Sequence, residues 1–305
     1  MMNKKLSIGG QAVIEGVMIR SPNYNVVAVR KKNCVITKKE KIKQRKSKFF
    51  KLPIVRGFFN LVDMLVAGMR SLIWSSEQQM EKNEKISSLE IVFTLIFSIG
   101  IAIFLFLFVP YFFVSISGFS EDKQPLMFNL IDGFIRIIIF LAYILVISMM
   151  KDIKVLFQYH GAEHKAIHCY ENKKILSVGN IKKFSTLHPR CGTAFIMIVL
   201  LVSILAFSML SALITYLFPN FVSMHPIAKK AVLFAARVFL LPLIAGISYE
   251  FLKLGSKYEH NPLLKIFVVP GLLMQKITTK EPTKRQMEVA MAAVKEVLQL
   301  EKSNC

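Results

Sequence analysis

The residues with the clearest chemical potential are His160-Gly161-Ala162-Glu163-His164, followed by His168 and Glu171. On an α-helix, positions four apart share a face. His160, His164 and His168 would therefore project together, with Glu163 beside them. The order H-x-x-E-H is that of the inverted zinc peptidases, in which two histidines bind the metal and the glutamate is the general base. Zinc brings the pKa of a bound water down to about 7, and a neighbouring carboxylate can take its proton. Such a site needs a third protein ligand. His188 and Cys191, in His188-Pro189-Arg190-Cys191-Gly192-Thr193, could supply it, as could Glu171 or Glu250. The expected cofactor is a divalent metal, zinc first. Arg190 could steady a carboxylate or phosphate. The competing reading of the same residues is a polar helix making surface or interdomain hydrogen bonds.

The surroundings of this cluster are those of a membrane protein. The chain has 305 residues, is 54% hydrophobic and carries a formal net charge of +21. Its apolar residues are gathered in runs. Ile91 to Ser120 and Cys191 to Ala228 contain no charged side chain, and Leu126 to Met150 and Ala231 to Phe251 contain few. Uncharged stretches of about 20 residues or more read as membrane-spanning helices. The fold class expected is a mainly α polytopic membrane helix bundle of about four transmembrane helices. A small N-terminal β meander and amphipathic helices on the cytoplasmic side complete it.

Four regions follow. Residues 1–52 form a basic, β-rich cytoplasmic region. Residues 53–88 form an interfacial amphipathic helix. Residues 89–254 form the transmembrane bundle, with the His/Glu loop at 151–190. Residues 255–305 form a cytoplasmic helical tail. The meander rests on three β-prone runs, Val17–Arg20, Val26–Arg30 and Cys34–Thr37, separated by turn residues. Gly9, Gly10 and Gly16 lack phosphate-loop spacing and suggest tight backbone packing instead. Trp74, at the end of the amphipathic segment, suits a headgroup position. In the tail, Met287, Met291, Val294 and Leu298 recur at helical spacing.

Lysines and arginines crowd the N-terminal region, the 151–190 loop and the tail, which by the positive-inside rule face the cytoplasm. The expected location is the plasma membrane, multi-pass, with both termini cytoplasmic. The partners are the lipid bilayer and, through the basic segment Lys38–Lys51, its anionic headgroups. A homo-oligomer or a membrane-protein partner is compatible with the chain. Nucleic acid is disfavoured, because no recognised module accompanies the charge. Cys34, Cys169, Cys191 and Cys305 would lie on the reducing side, so disulfides are not expected. Within the spans, Asp132 and Arg136 can pair along one helix, and Arg237 falls at similar depth.

The segments Gly9–Arg20 (GGQAVIEGVMIR), Tyr159–Glu171 (YHGAEHKAIHCYE), His188–Phe195 (HPRCGTAF), Leu241–Glu250 (LPLIAGISYE) and Pro270–Pro282 (PGLLMQKITTKEP) resemble the YqhQ family of bacterial polytopic membrane proteins of unknown function. The resemblance runs from Gly9 into the last helix. The family is often labelled as metal-dependent enzymes. By position it points to His160, Glu163, His164, Glu171, His188, Arg190, Cys191 and Glu250, with His168 in second rank. Two functions are compatible with all of this. One is a membrane-embedded metal-dependent enzyme, a hydrolase working at the cytoplasmic face. The other is a non-enzymatic transporter, channel or assembly factor in which the His/Glu cluster is structural or regulatory.

Overall fold

The computed structural model describes residues 6–45, 47–80, 87–119, 124–257 and 262–303. Cys305 lies outside them. Four strands are followed by ten helices. The strands are β1 (Gly9–Val13), β2 (Gly16–Arg20), β3 (Tyr24–Lys31) and β4 (Cys34–Lys41). The helices are α1 (Val55–Gln79), α2 (Ser88–Ile103), α3 (Val109–Ile116), α4 (Pro125–Ser148), α5 (Lys151–Glu171), the single turn α6 (Val178–Ile181), α7 (Gly192–Leu217), α8 (Pro226–Lys257), α9 (Pro262–Thr278) and α10 (Lys284–Ser303). A π-helical turn, Phe104–Phe108, joins α2 to α3.

The strands pair antiparallel in chain order, β1-β2-β3-β4. Three of them are the runs expected from the sequence. The fourth, β1, is an addition: its Gly-Gly-Gln start has little β propensity, and it is held by pairing Gly9 to Val13 against Arg20 to Gly16. The sheet is covered on both faces. Val17, Ile19, Val26 and Ala28 pack against Tyr159, Ala162 and Ala166 of α5 and Met287, Ala290 and Val294 of α10. Val13, Met18, Val27 and Val29 pack against Met64, Ala67, Leu72 and Trp74 of α1. Burial on two sides is why β2 and β3 read as unbroken apolar runs rather than alternating ones. Trp74 thus packs on the sheet, with the Lys38 ammonium 6.0 Å from its ring centre, where the sequence had suggested a headgroup position.

Four helical stretches among the described residues are long and apolar enough to cross a membrane: Ser88–Ile116, Pro125–Ser148, Gly192–Leu217 and Pro226–Gly255. This matches the number read from the sequence. Helix α7 is central and packs against α4, α8 and α9. Its approach to α9 is close because Gly271 has no side chain: a Cβ there would lie 2.3 Å from the Ala194 Cβ. The first stretch reaches the bundle through α3 and the π-turn, both against α4. Its apolar side chains, such as Leu89, Phe93 and Ile96, stay exposed, as lipid-facing residues would. Within the bundle, Arg136 Nη2 donates to Asp132 Oδ2 at 2.7 Å, the pairing expected from their spacing. Arg237 donates to Asn129 Oδ1 at 2.8 Å. Asn129, one turn before Asp132, was not anticipated.

Helix α5 starts two residues after α4 ends, so the region expected as a His/Glu loop opens as a rigid 21-residue helix leaving the membrane-spanning bundle. Helix α10 closes the far side of the sheet. It begins with a reciprocal cap: Gln286 N donates to Thr283 Oγ1 at 3.3 Å and Thr283 N to Gln286 Oε1 at 2.8 Å. It ends with a clasp on the β2–β3 turn. Glu301 accepts from Ser21 Oγ (2.6 Å), Asn23 N (2.9 Å) and Asn23 Nδ2 (2.8 Å). Burial alone would push the Glu301 carboxyl up, but these three donors hold it below the ordinary glutamate range. A depressed carboxyl stabilises the fold above the unfolded pKa, and that contribution is lost as pH falls through the folded value. Glu301→Gln should therefore cost roughly 2–3 kcal/mol at pH 7. The gap to wild type should close on acidification below the ordinary glutamate range. Thermal unfolding in detergent against pH checks both the loss and its direction.

Candidate metal centre

The His/Glu motif lies on the part of α5 trapped between the sheet, the segment before α7 and the segment after α9. Glu163, His164 and Lys165 are all buried. Gly161 makes this possible. A Cβ on Gly161 would sit 2.2 Å from the Lys280 carbonyl oxygen, so the glycine lets the chain leaving α9 press directly on α5. Lys280 N donates to Phe157 O at 2.9 Å along the same contact. Buried Lys165 ties the arrangement further, donating to Lys182 O at 3.1 Å and Glu281 at 2.6 Å.

This contact sets the chemistry of the rings. His160 Nδ1 lies 2.8 Å from Thr278 O, and His164 Nδ1 lies 2.5 Å from Thr186 O. A carbonyl oxygen only accepts, so each Nδ1 carries the proton and each neutral ring keeps its lone pair on Nε2. His160 Nε2 lies 3.1 Å from Cys191 Sγ. Burial pushes His164 down, ahead of an opposing hydrogen bond from Cys191 and the repulsion of His160; this keeps the ring neutral at physiological pH. His160, His164 and Cys191 each bring a ligand atom within 4.8 Å of the others. Cys191 is held as the N-cap of α7, its Sγ accepting from Thr193 N at 3.4 Å.

The donor set fits a zinc-like ion. Two imidazole nitrogens and a sulfur, with carbonyls fixing the distal ring nitrogens, form the usual inner and outer shells of such a site. Zn–N of about 2.05 Å and Zn–S of about 2.3 Å at tetrahedral angles place N and S about 3.6 Å apart. The 3.1 Å between His160 Nε2 and Cys191 Sγ would need to open by about 0.5 Å.

Glu163 stands beside these ligands, its Oε2 3.5 Å from His164 Nε2. Its other oxygen faces β1, where a Cβ on Gly10 would come within 3.1 Å of Oε1. That Cβ would also lie 2.3 Å from Met18 O, so the tight packing expected of this glycine is present. Burial pushes the Glu163 carboxyl up, more than His160 and His188 pull it down. A carboxyl raised in this way is suited to exchanging a proton near neutral pH.

The remaining motif residues form a second group. His168, Glu171 and His188 also place ligand atoms within 4.8 Å of one another. Here hydrogen bonds occupy the rings. His168 Nε2 faces Leu187 O at 2.8 Å. His188 Nδ1 accepts from Arg190 N at 3.2 Å, and its Nε2 faces Glu171 Oε2 at 3.2 Å. Arg190 pairs with Glu171 Oε1. Gln275 of α9 grips the His188 backbone twice, at 2.8 and 2.9 Å. The two groups adjoin, with the His164 and His188 rings 5.6 Å apart.

Eight of the nine residues singled out by sequence therefore converge in two adjacent groups or beside them. Glu250 does not join them. It sits on α8 and receives Arg56 of α1, Nε to Oε1 at 2.7 Å with a second bond from Nη2. The contributors not found by sequence are the carbonyls of Thr278 and Thr186 and the side chain of Gln275. Thr278 lies in a segment that reads only as a turn.

The chain matches the model of a family described as "Protein of unknown function (DUF1385)" over residues 52–300. It is 34% identical over 311 residues to "Uncharacterized protein YqhQ" of Bacillus subtilis (strain 168), covering 96% of this chain and 92% of that protein. No solved structure matches it.

Replacing Gly161 with alanine should force the chain after α9 away from α5, since the obstacle is backbone. Gly161→Ala is expected to cost about 1–3 kcal/mol as an overpacked core position does. Gly179→Ala, at a glycine with nothing within 4 Å, should be silent. Thermal unfolding of both variants in detergent makes the comparison.

Proposed function

The chain belongs to the DUF1385 family, and on that footing we propose that it is a membrane-anchored, metal-dependent hydrolase acting at the cytoplasmic membrane face. His160, His164 and Cys191 hold a divalent ion, zinc first, and Glu163 is the general base. The observation that carries this reading is the pair of imidazoles whose protons are fixed on Nδ1 by Thr278 O and Thr186 O, leaving both Nε2 atoms for an ion beside Cys191 Sγ. When bound, the metal supplies a water with a pKa near 7. Glu163 would accept and return a proton at its carboxylate oxygens, a role suited by the upward push of burial. Arg190, held by Glu171, offers its guanidinium to an anionic group of the substrate. The cytoplasmic placement follows from the basic flanks of the four apolar helices.

Detergent-purified protein should carry about one zinc per chain by elemental analysis, and His164→Ala should lose it. Glu163→Gln should keep the metal and lose at least about 100-fold in ester or phosphoester hydrolysis, the scale of a lost general base. Metal-free wild type of normal stability would rule the proposal out.

A second reading, transport, is supported by the buried Asp132–Arg136 and Asn129–Arg237 contacts inside the bundle. It requires flux across liposomes that is lost in Arg237→Gln and retained in Glu163→Gln.

A further inference from the structure

A cleft of about 820 Å³ opens where the sheet meets the helices α1 and α8. Among the described residues its wall carries six cationic side chains, Arg20, Lys43, Arg45, Lys51, Arg190 and Lys253, against a single carboxylate, Asp63. Arg45 donates to Asp63 at 2.8 Å, so the one acid is already engaged. Arg20 has no hydrogen bond or ion pair among the described residues, although it is partly buried on β2. Burial disfavours its charged form more than nearby Asp63 favours it, and Arg45 adds a smaller repulsion. A half-buried guanidinium in this position is stabilised by an anion.

The floor of the cleft is built, not incidental. Helix α1 crosses α8 at two glycines. A Cβ on Gly246 would lie 2.5 Å from Ile54 O, and one on Gly57 would lie 2.8 Å from the Tyr249 Cβ. The Arg56–Glu250 pair locks this crossing, and Asn60 Nδ2 donates to the Tyr249 hydroxyl at 3.1 Å. The crossing lies in the last three turns of the apolar stretch Pro226–Gly255. The cleft thus mixes apolar walls from Phe59, Met64 and Leu252 with its cations. A mixed lining of this kind matches an amphiphile with an anionic head.

We propose that this cleft binds a phosphate group of net negative charge, foremost a phosphate monoester, with Arg20, Lys43 and Lys51 as its main cationic contacts. Guanidinium and ammonium groups lining one cleft can recognise phosphate through charge-assisted hydrogen bonds. The binding does not depend on the metal reading. Its link to chemistry does: Arg190 lines the cleft and also pairs with Glu171, beside the metal centre and one residue before Cys191. A phosphate held in the cleft is one side chain away from that centre.

The test uses the full-length protein in uncharged detergent, with and without chelator, titrated by calorimetry with dihexanoyl phosphatidic acid, dihexanoyl phosphatidylcholine and inorganic phosphate. Wild type should bind the phosphatidic acid saturably, about one per chain, and much more weakly the phosphatidylcholine. Arg20→Gln, Lys43→Gln and Lys51→Gln should each weaken it about tenfold, the value of one charge-assisted contact. Lys43 and Lys51 are exposed, so these two variants test binding even if Arg20→Gln unfolds. Lys295→Gln, on the exposed face of α10, should change nothing. Phosphatidic acid bound more tightly than inorganic phosphate assigns the lipid as source; equal affinity assigns a soluble phosphate, and either supports the phosphate site. Affinity unchanged in all three cleft variants, equal binding of phosphatidylcholine, or no saturable binding would overturn it. Loss of metal content with phosphate binding intact would count against the hydrolase reading alone.

Discussion

The hydrogen bond from His160 Nδ1 to the carbonyl of Thr278 is the contact on which the centre depends. It settles which nitrogen of the ring carries the proton, and therefore which nitrogen can face Cys191. It forms only because the chain leaving α9 reaches α5, and Gly161 is what permits that approach. His164 repeats the arrangement with Thr186. Two rings oriented by main-chain carbonyls are more rigid than two rings oriented by flexible side chains, because the carbonyls belong to packed segments.

The fold supplies those segments by joining two kinds of solvent. The apolar helices leave most of their side chains outward, and α7 gathers α4, α8 and α9 around it. The sheet, buried on both faces between α1 and the pair α5 and α10, is an ordinary water-soluble core. The two parts share continuous elements. Helix α5 leaves α4 after two residues, Cys191 caps α7 where it enters the bundle, and Thr278 ends α9. The candidate centre is therefore assembled at the place where three bundle helices hand the chain to the sheet. The basic cleft occupies the neighbouring junction, between α1 and α8, with Arg190 common to both neighbourhoods.

Much of this was legible in the amino-acid order. Charge-free runs identify spans because a bilayer excludes ionised groups over a fixed thickness, and this needs no tertiary information. The three apolar runs of the sheet and the amphipathic last helix are local signals of the same kind. The four-residue spacing of His160, His164 and His168 places them on one face of any helix. Strand β1 was less legible, since its Gly10 contributes by lacking a side chain, against Met18 O and Glu163. Trp74 was misplaced because an aromatic residue suits a buried sheet face and a headgroup layer equally well by composition.

The sequence by itself determined the four apolar helices, the β-prone meander and the set of ligand-bearing side chains, because each depends on neighbours within one or two turns. Only the tertiary structure decided how that set divides. It put Cys191 with His160 and His164, put His188 with His168 and Glu171, and sent Glu250 to Arg56. It also decided the ring tautomers, through carbonyls that every residue possesses and no residue type announces. Distances between residues far apart in the chain follow from helix crossings at Gly161, Gly246 and Gly271, and a crossing is set by packing, not by composition.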